Sequence, residues 1–126
     1  MPATWEFRDS VILVTAVGDW SGAGTASAVT EAMADPRFEP GTALVLDIRL
    51  STMNPSADQV RARAEWVAAL RAAGLASRCA IVVGPKAHQF GLARMAQAHL
   101  ESREMEMRIF TDLGKALTWV APPRPE

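Results

Sequence analysis

Few residues of this chain could carry covalent or metal chemistry. They are one cysteine, Cys79, two histidines, His88 and His99, and the hydroxyls of Ser51, Thr52 and Ser56 that follow an acidic residue, Asp47. Spacing decides what they can do. The histidines stand eleven positions apart on one expected helix, three turns along its axis, so they cannot share a metal as an i, i+4 pair would. His88 falls near the helix N-terminus, where a hydrogen-bonding role is the one open to it. A lone cysteine builds no intrachain disulfide, no CxxC redox pair and no multi-cysteine zinc site. Cys79 also opens an apolar run, whose burial raises a thiol's pKa and keeps it inert. No nucleophile, base and orienting group fall together, and the expectation is a non-enzymatic chain with no metal and no cofactor.

Three further constellations have a sharper reading and a plainer one. Gly22-Ala23-Gly24-Thr25-Ala26-Ser27 opens a helix after a strand, with Asp47 about twenty residues on, which mimics a dinucleotide fingerprint. Ser27 replaces the third glycine and Gly18 to Ser21 intervene between strand and motif, so these glycines are read as helix starters. Arg94 shares a side of the helical wheel with Ala87, Phe90, Gly91 and Ala98, while Leu92, Ala96 and Leu100 lie opposite. An arginine amid small and aromatic residues is poised to pair, and Phe90-Gly91 allows close packing. The expected acceptors are Asp47 and the carbonyls of Arg49 to Met53. Trp20, in a strand-end loop beside glycines, is the tryptophan expected to line a pocket or interface, with Met53, Phe90 and Met95 nearby.

The elements that must position these residues follow from periodicity. Trp5 to Arg8 and Val11 to Val17 are two β-rich runs separated by Asp9-Ser10, a hairpin signal. The second run is apolar almost throughout, as are Thr42 to Ile48 and Cys79 to Gly84, the pattern of strands covered on both faces. Helices are expected over Gly24 to Ala34, over Ser56 to Ala73 and from about Lys86 to Glu101. The second is delimited by a Ser56/Gln59 capping box and by Gly74, with Val60, Ala64 and Val67 inside. Met105 to Phe110 gives a fifth strand, and Thr111-Asp112 caps a last helix with Leu113, Ala116, Leu117 and Val120 on one face. A hairpin followed by alternating helices and buried strands implies a mainly parallel sheet with helical crossovers, whose ligands collect beyond the strand C-termini.

Size and charge narrow the function classes. At 126 residues the chain fits one α/β domain, expected over 1–121, with a proline-rich tail over 122–126. A net charge of -1 offers no field for phosphates or an anionic membrane, so nucleic acid is not an expected partner. No apolar run is long enough to span a bilayer and no signal-like start is present, which gives a cytoplasmic expectation. Terminal edge strands and several aromatic residues lead to an expected homodimer.

Phe90-Gly91-Leu92-Ala93-Arg94-Met95, and Arg108-Ile109-Phe110-Thr111-Asp112-Leu113 with Ala116-Leu117-Thr118-Trp119-Val120, resemble patterns in small single-domain SpoIIAA-like proteins. That superfamily holds the bacterial STAS regulatory domains and, more distantly, SEC14-type lipid-binding domains. The resemblance covers nearly the whole chain and implies one five-stranded, mostly parallel sheet with an antiparallel first strand and helices packed on it. STAS partner-switching would place a phosphorylated hydroxyl after the third strand. Here that region is Asp47 to Ser56, which lacks the Asp-Ser-Ser-Gly type of tetrad but keeps Ser51, Thr52 and Ser56. The resulting expectation is a regulatory or protein-interaction module, with a SEC14-like binder of a small apolar or amphipathic ligand as the alternative. The residues expected to serve either role are Trp20, Asp47, Ser51, Thr52, Ser56, His88, Phe90 and Arg94.

Overall fold

The computed structural model describes residues 3–18, 22–52 and 54–121. Strands β1 (Ala3–Arg8) and β2 (Val11–Gly18) form a hairpin, followed by α1 (Gly22–Ala34), β3 (Ala43–Ser51) and α2 (Ala57–Ala69). A short 3-10 turn over Leu70–Ala73 leads to β4 (Arg78–Val82), α3 (Ala87–Glu101), β5 (Glu106–Phe110) and α4 (Leu113–Val120). Trp20, Met53 and the tail 122–126, named above, lie outside the described residues.

The local chemistry accounts for the turns. Asp9, at φ 56, supplies the left-handed residue of the two-residue link between Arg8 and Val11, a conformation that aspartate tolerates better than most side chains. Ser56 caps α2 by accepting from Gln59 N, while Gln59 Oε1 accepts from Ser56 N, so the expected capping box is present. Gly74 stops the following turn at φ 109, and a Cβ there would come within 3.3 Å of Pro40 Cα.

The sheet order is β1-β2-β3-β4-β5, with β1 antiparallel to β2 and the remaining neighbours parallel. When parallel strands are laid down in one direction, right-handed crossovers put every crossover helix on the same side. Accordingly α1, α2 and α3 share one core with Ile12, Val14, Leu44, Ile81 and Met107. The last helix is not a crossover and takes the other face, where Ala116 and Val120 meet Val11, Leu13, Val45 and Val82.

One boundary departs from the expected one. The residues from Arg49 to Ser51, beyond the expected strand end at Ile48, continue β3. Pairing with β2 runs from Thr15↔Asp47 to Val17↔Leu50, so Ile48 and Arg49 together oppose Ala16 and form a bulge. Pairing with β4 has already ended at Asp47↔Val82, so this extension is paired on one side only. That explains why it can carry Arg49 and Ser51 and escapes an apolar-run criterion.

Candidate functional site

Between the sheet and its three crossover helices lies a cavity of about 140 Å³. Strands β3 and β4 provide its floor through Leu46, Ile48 and Ile81, while Trp66 and Val67 of α2 and Leu92 of α3 provide its walls. The space exists because the helices meet it with small side chains: Ala26, Ala64 and Ala96 all line it. Close-packed interiors leave few voids larger than a water molecule, so an opening of this size is a property of the site rather than of ordinary cores.

Four polar side chains reach this largely apolar space: Thr25, Ser51, Arg63 and Gln89. Gln89 is only 1 % exposed, and its amide is used on both sides. Its Oε1 accepts from Gly84 N at 2.7 Å, and its Nε2 donates to Ile48 O at 2.9 Å and to Ser51 O at 3.1 Å. One side chain in the first turn of α3 thereby ties together the C-terminal ends of β3 and β4. Gly84 fits this latch closely, since a Cβ there would stand 3.2 Å from Gln89 Oε1. Ser51 is buried at the end of β3. Partial burial pushes the Arg63 guanidinium below its ordinary pKa, because the charged form loses solvent. Cys79 lies on the floor, and burial pushes its thiol up to about 12, so it is a packing residue there and not a nucleophile. Thr25 Oγ1, in the first turns of α1, is buried without a hydrogen-bond partner.

The residues singled out in the sequence distribute unevenly around this cavity. Ser51 lines it. Asp47 is buried but stands on the opposite face of the sheet, as the alternation from Val45 requires, and it is occupied by its neighbour two residues on. Arg49 donates to it from Nε at 3.0 Å, from Nη2 at 2.8 Å and from the backbone N at 3.1 Å. That fork raises the Arg49 pKa. Thr52, Ser56 and His88 are exposed, with Thr52 N bonded to Gly18 O and Ser56 engaged in its cap. Among the described residues no group of three His, Cys, Asp or Glu side chains comes together to hold a metal ion.

The expectation for Arg94 is corrected. It does not reach Asp47 but is exposed, with its guanidinium 5.9 Å from the centre of the Phe90 ring. The side of α3 carrying Ala87, Phe90, Gly91 and Arg94 faces solvent, and a Cβ on Gly91 would meet nothing within 4 Å, so the supposed close packing is absent. The packed side instead carries Gln89, Ala93 and Leu100, with Ala96 beside the cavity. Positions 89, 93, 96 and 100 form an i, i+4, i+7, i+11 stripe, and its polar head was the signal that could have revealed Gln89. Phe90 is 47 % exposed and does not line the cavity, nor does Met95; the aromatic wall is Trp66.

No family model and no curated protein matches the sequence. Among solved structures, the chain is similar to an uncharacterised DUF3478-family protein with a SpoIIAA-like fold from Shewanella loihica PV-4. The TM-score is 0.58 at 17% sequence identity, with 94% of this chain and 92% of that one covered.

Proposed function

Taking the SpoIIAA-like fold of this chain as premise, we propose a non-catalytic binding domain that holds a small apolar or amphipathic ligand between its sheet and helices α1 to α3. The observation that supports this reading is the cavity of about 140 Å³, walled by aliphatic side chains and Trp66. A cavity of roughly 150 Å³ lined by aliphatic and aromatic groups accepts benzene elsewhere in protein chemistry, which sets the ligand scale. An aromatic ring of that kind buries about 150–250 Å². At roughly 25 cal/mol per Å² this corresponds to about 5 kcal/mol and a dissociation constant of ~0.2 mM.

The test is a titration with benzene and toluene, read by the shift in thermal midpoint and by NMR shifts of residues around Trp66. Ala96→Leu, which fills part of the space, should abolish binding while leaving the domain folded. Absence of any midpoint shift at millimolar ligand would sink the proposal.

A second reading, a regulatory or interaction module, draws on a separate observation. The large hydrophobic side chains exposed among the described residues are Val17, Leu50 and Phe90. Val17 and Leu50 are paired at the C-terminal ends of β2 and β3, and Phe90 is in the first turn of the helix after β4, so all three belong to one end of the sheet. Monomeric surfaces seldom gather such residues unless something covers them. A protein partner docking there should lose affinity in Leu50→Ser and retain it in Ala96→Leu, the reverse of the ligand result.

A further inference from the structure

The helices above the cavity are not held alike. α2 packs along α3, where Glu65 meets Arg103 at 3.4 Å, but among the described residues it packs closely on neither α1 nor a strand. The cavity therefore lies beneath α2, and the seam between α1 and α2 is its loosest side. On the helical wheel of α2, Glu65 and Ala68 mark the flank turned toward α3, and Val60, Ala64 and Val67 point inward. Arg63 and Trp66 fall on the other flank, where the order of the crossovers places α1. Both line the cavity and both are half-buried, as is Ala26 across the seam. Arg63 is also the one charged side chain among the described residues that line it. An arginine stem covers apolar surface while its head stays near water, so this position sets a positive charge at the rim of an apolar pocket.

From this geometry we propose that the ligand is a monoanionic amphiphile, a small apolar body bearing one carboxylate, with Arg63 taking the carboxylate at the α1/α2 seam while the body lies under α2. The proposal rests on the ligand-binding reading above and adds the head group and the side on which it sits. A planar guanidinium fork matches a carboxylate, and one arginine balances one negative charge. Arg63 is already engaged within the chain, yet a guanidinium carries more N–H donors than one contact uses and can hold a carboxylate beside it. Hydrogen bonding to Asp35 raises the pKa of Arg37 and hydrogen bonding to Asp47 raises that of Arg49, whereas burial lowers that of Arg63. A bound carboxylate would oppose that lowering.

Benzoate and benzamide share a shape and differ in charge, while toluene reports the apolar body alone. Titrating the full chain with each by NMR, in wild type, Arg63→Met and Arg63→Lys, gives a cycle that removes the general cost of desolvating benzoate. In Arg63→Met, which keeps an apolar stem, benzoate should weaken relative to benzamide by about tenfold, the scale of one charge-assisted pair at a half-exposed site. Toluene should bind as before. Added salt should weaken benzoate in the wild type and leave toluene unchanged. Arg63→Lys keeps the charge and should keep part of the preference, which guards against a fold defect in the methionine variant. If the benzoate-to-benzamide ratio were the same in wild type and Arg63→Met while toluene still bound, Arg63 would select nothing and the inference would be wrong. Wild type that binds toluene but not benzoate removes this inference alone, whereas failure of all three ligands removes the ligand-binding reading with it.

Discussion

Replacing Gln89 by leucine tests whether one side chain holds the strand ends and the third crossover helix together. The substitution keeps an apolar body of similar size but removes three hydrogen bonds, to Gly84 N, Ile48 O and Ser51 O, at a position only 1 % exposed. The orphaned Gly84 N–H carries a penalty of about 1–3 kcal/mol, and the two carbonyls, with spare lone pairs, add roughly 1 kcal/mol between them. The expected loss is about 3 kcal/mol, which for a domain of this size lowers the thermal midpoint by roughly 10–15 °C. Urea titration with the slope held constant, beside calorimetry, measures it. Gln89→Glu refines the test, since it keeps the acceptor for Gly84 N–H but turns a carboxylate toward two carbonyls. Burial and those carbonyls would raise that carboxyl's folded pKa, so stability should be recovered in acid and lost as pH rises through it. A leucine variant within about 1 kcal/mol of wild type would refute the latch, because the strand ends would then be held without it.

Other outcomes follow from the same geometry. Ser56→Ala should lower stability by about 1 kcal/mol through loss of the capping box, measured by urea unfolding, whereas an unchanged midpoint would mean that α2 is held without its cap. Arg49→Ala leaves the buried Asp47 with only a backbone donor among the described residues and should lose about 2 kcal/mol, while Arg94→Ala should stay within about 0.5 kcal/mol; thermal melts of the pair decide it. Cys79 should resist thiol reagents at pH 8 until the chain unfolds. With its pKa raised from 9.0 to about 12, the stability it contributes is complete below the unfolded value and is lost as pH rises from 9 toward 12, by about 1 kcal/mol at pH 10. The chain has no tyrosine to confuse that window, and Cys79→Ala should flatten the alkaline decline.

The strands and helices were legible where chemistry is local. Val11 to Val17 and Cys79 to Val83 announce two-sided burial by their lack of alternation, and Ser56 with Gln59 announces a helix start in four residues. The site was less legible because it is made of what is missing. Ala26, Ala64 and Ala96 sit on three different helices, and only the folded chain shows that they face one space. Arg94 misleads for a related reason: its wheel position beside Phe90 and Gly91 suggests an inward face, although the apolar stripe through Ala93 and Leu100 marks the inward side. The bulge at Ile48 and Arg49 escaped because it depends on register with β2, which periodicity along one strand does not encode.

The strand order has a consequence in time. Each strand lies beside the one made just before it, so a chain leaving the ribosome can add strands in sequence, with no later segment having to insert between earlier ones. The cover of the second sheet face does not follow that order. Val11 and Leu13 are made long before Ala116 and Val120 of the eight-residue helix with which they share their core. At about 5–20 residues per second, roughly 5–20 seconds separate the two. Throughout that interval one face of the growing sheet is bare, and holding it soluble until α4 arrives is a task for chaperones or for speed.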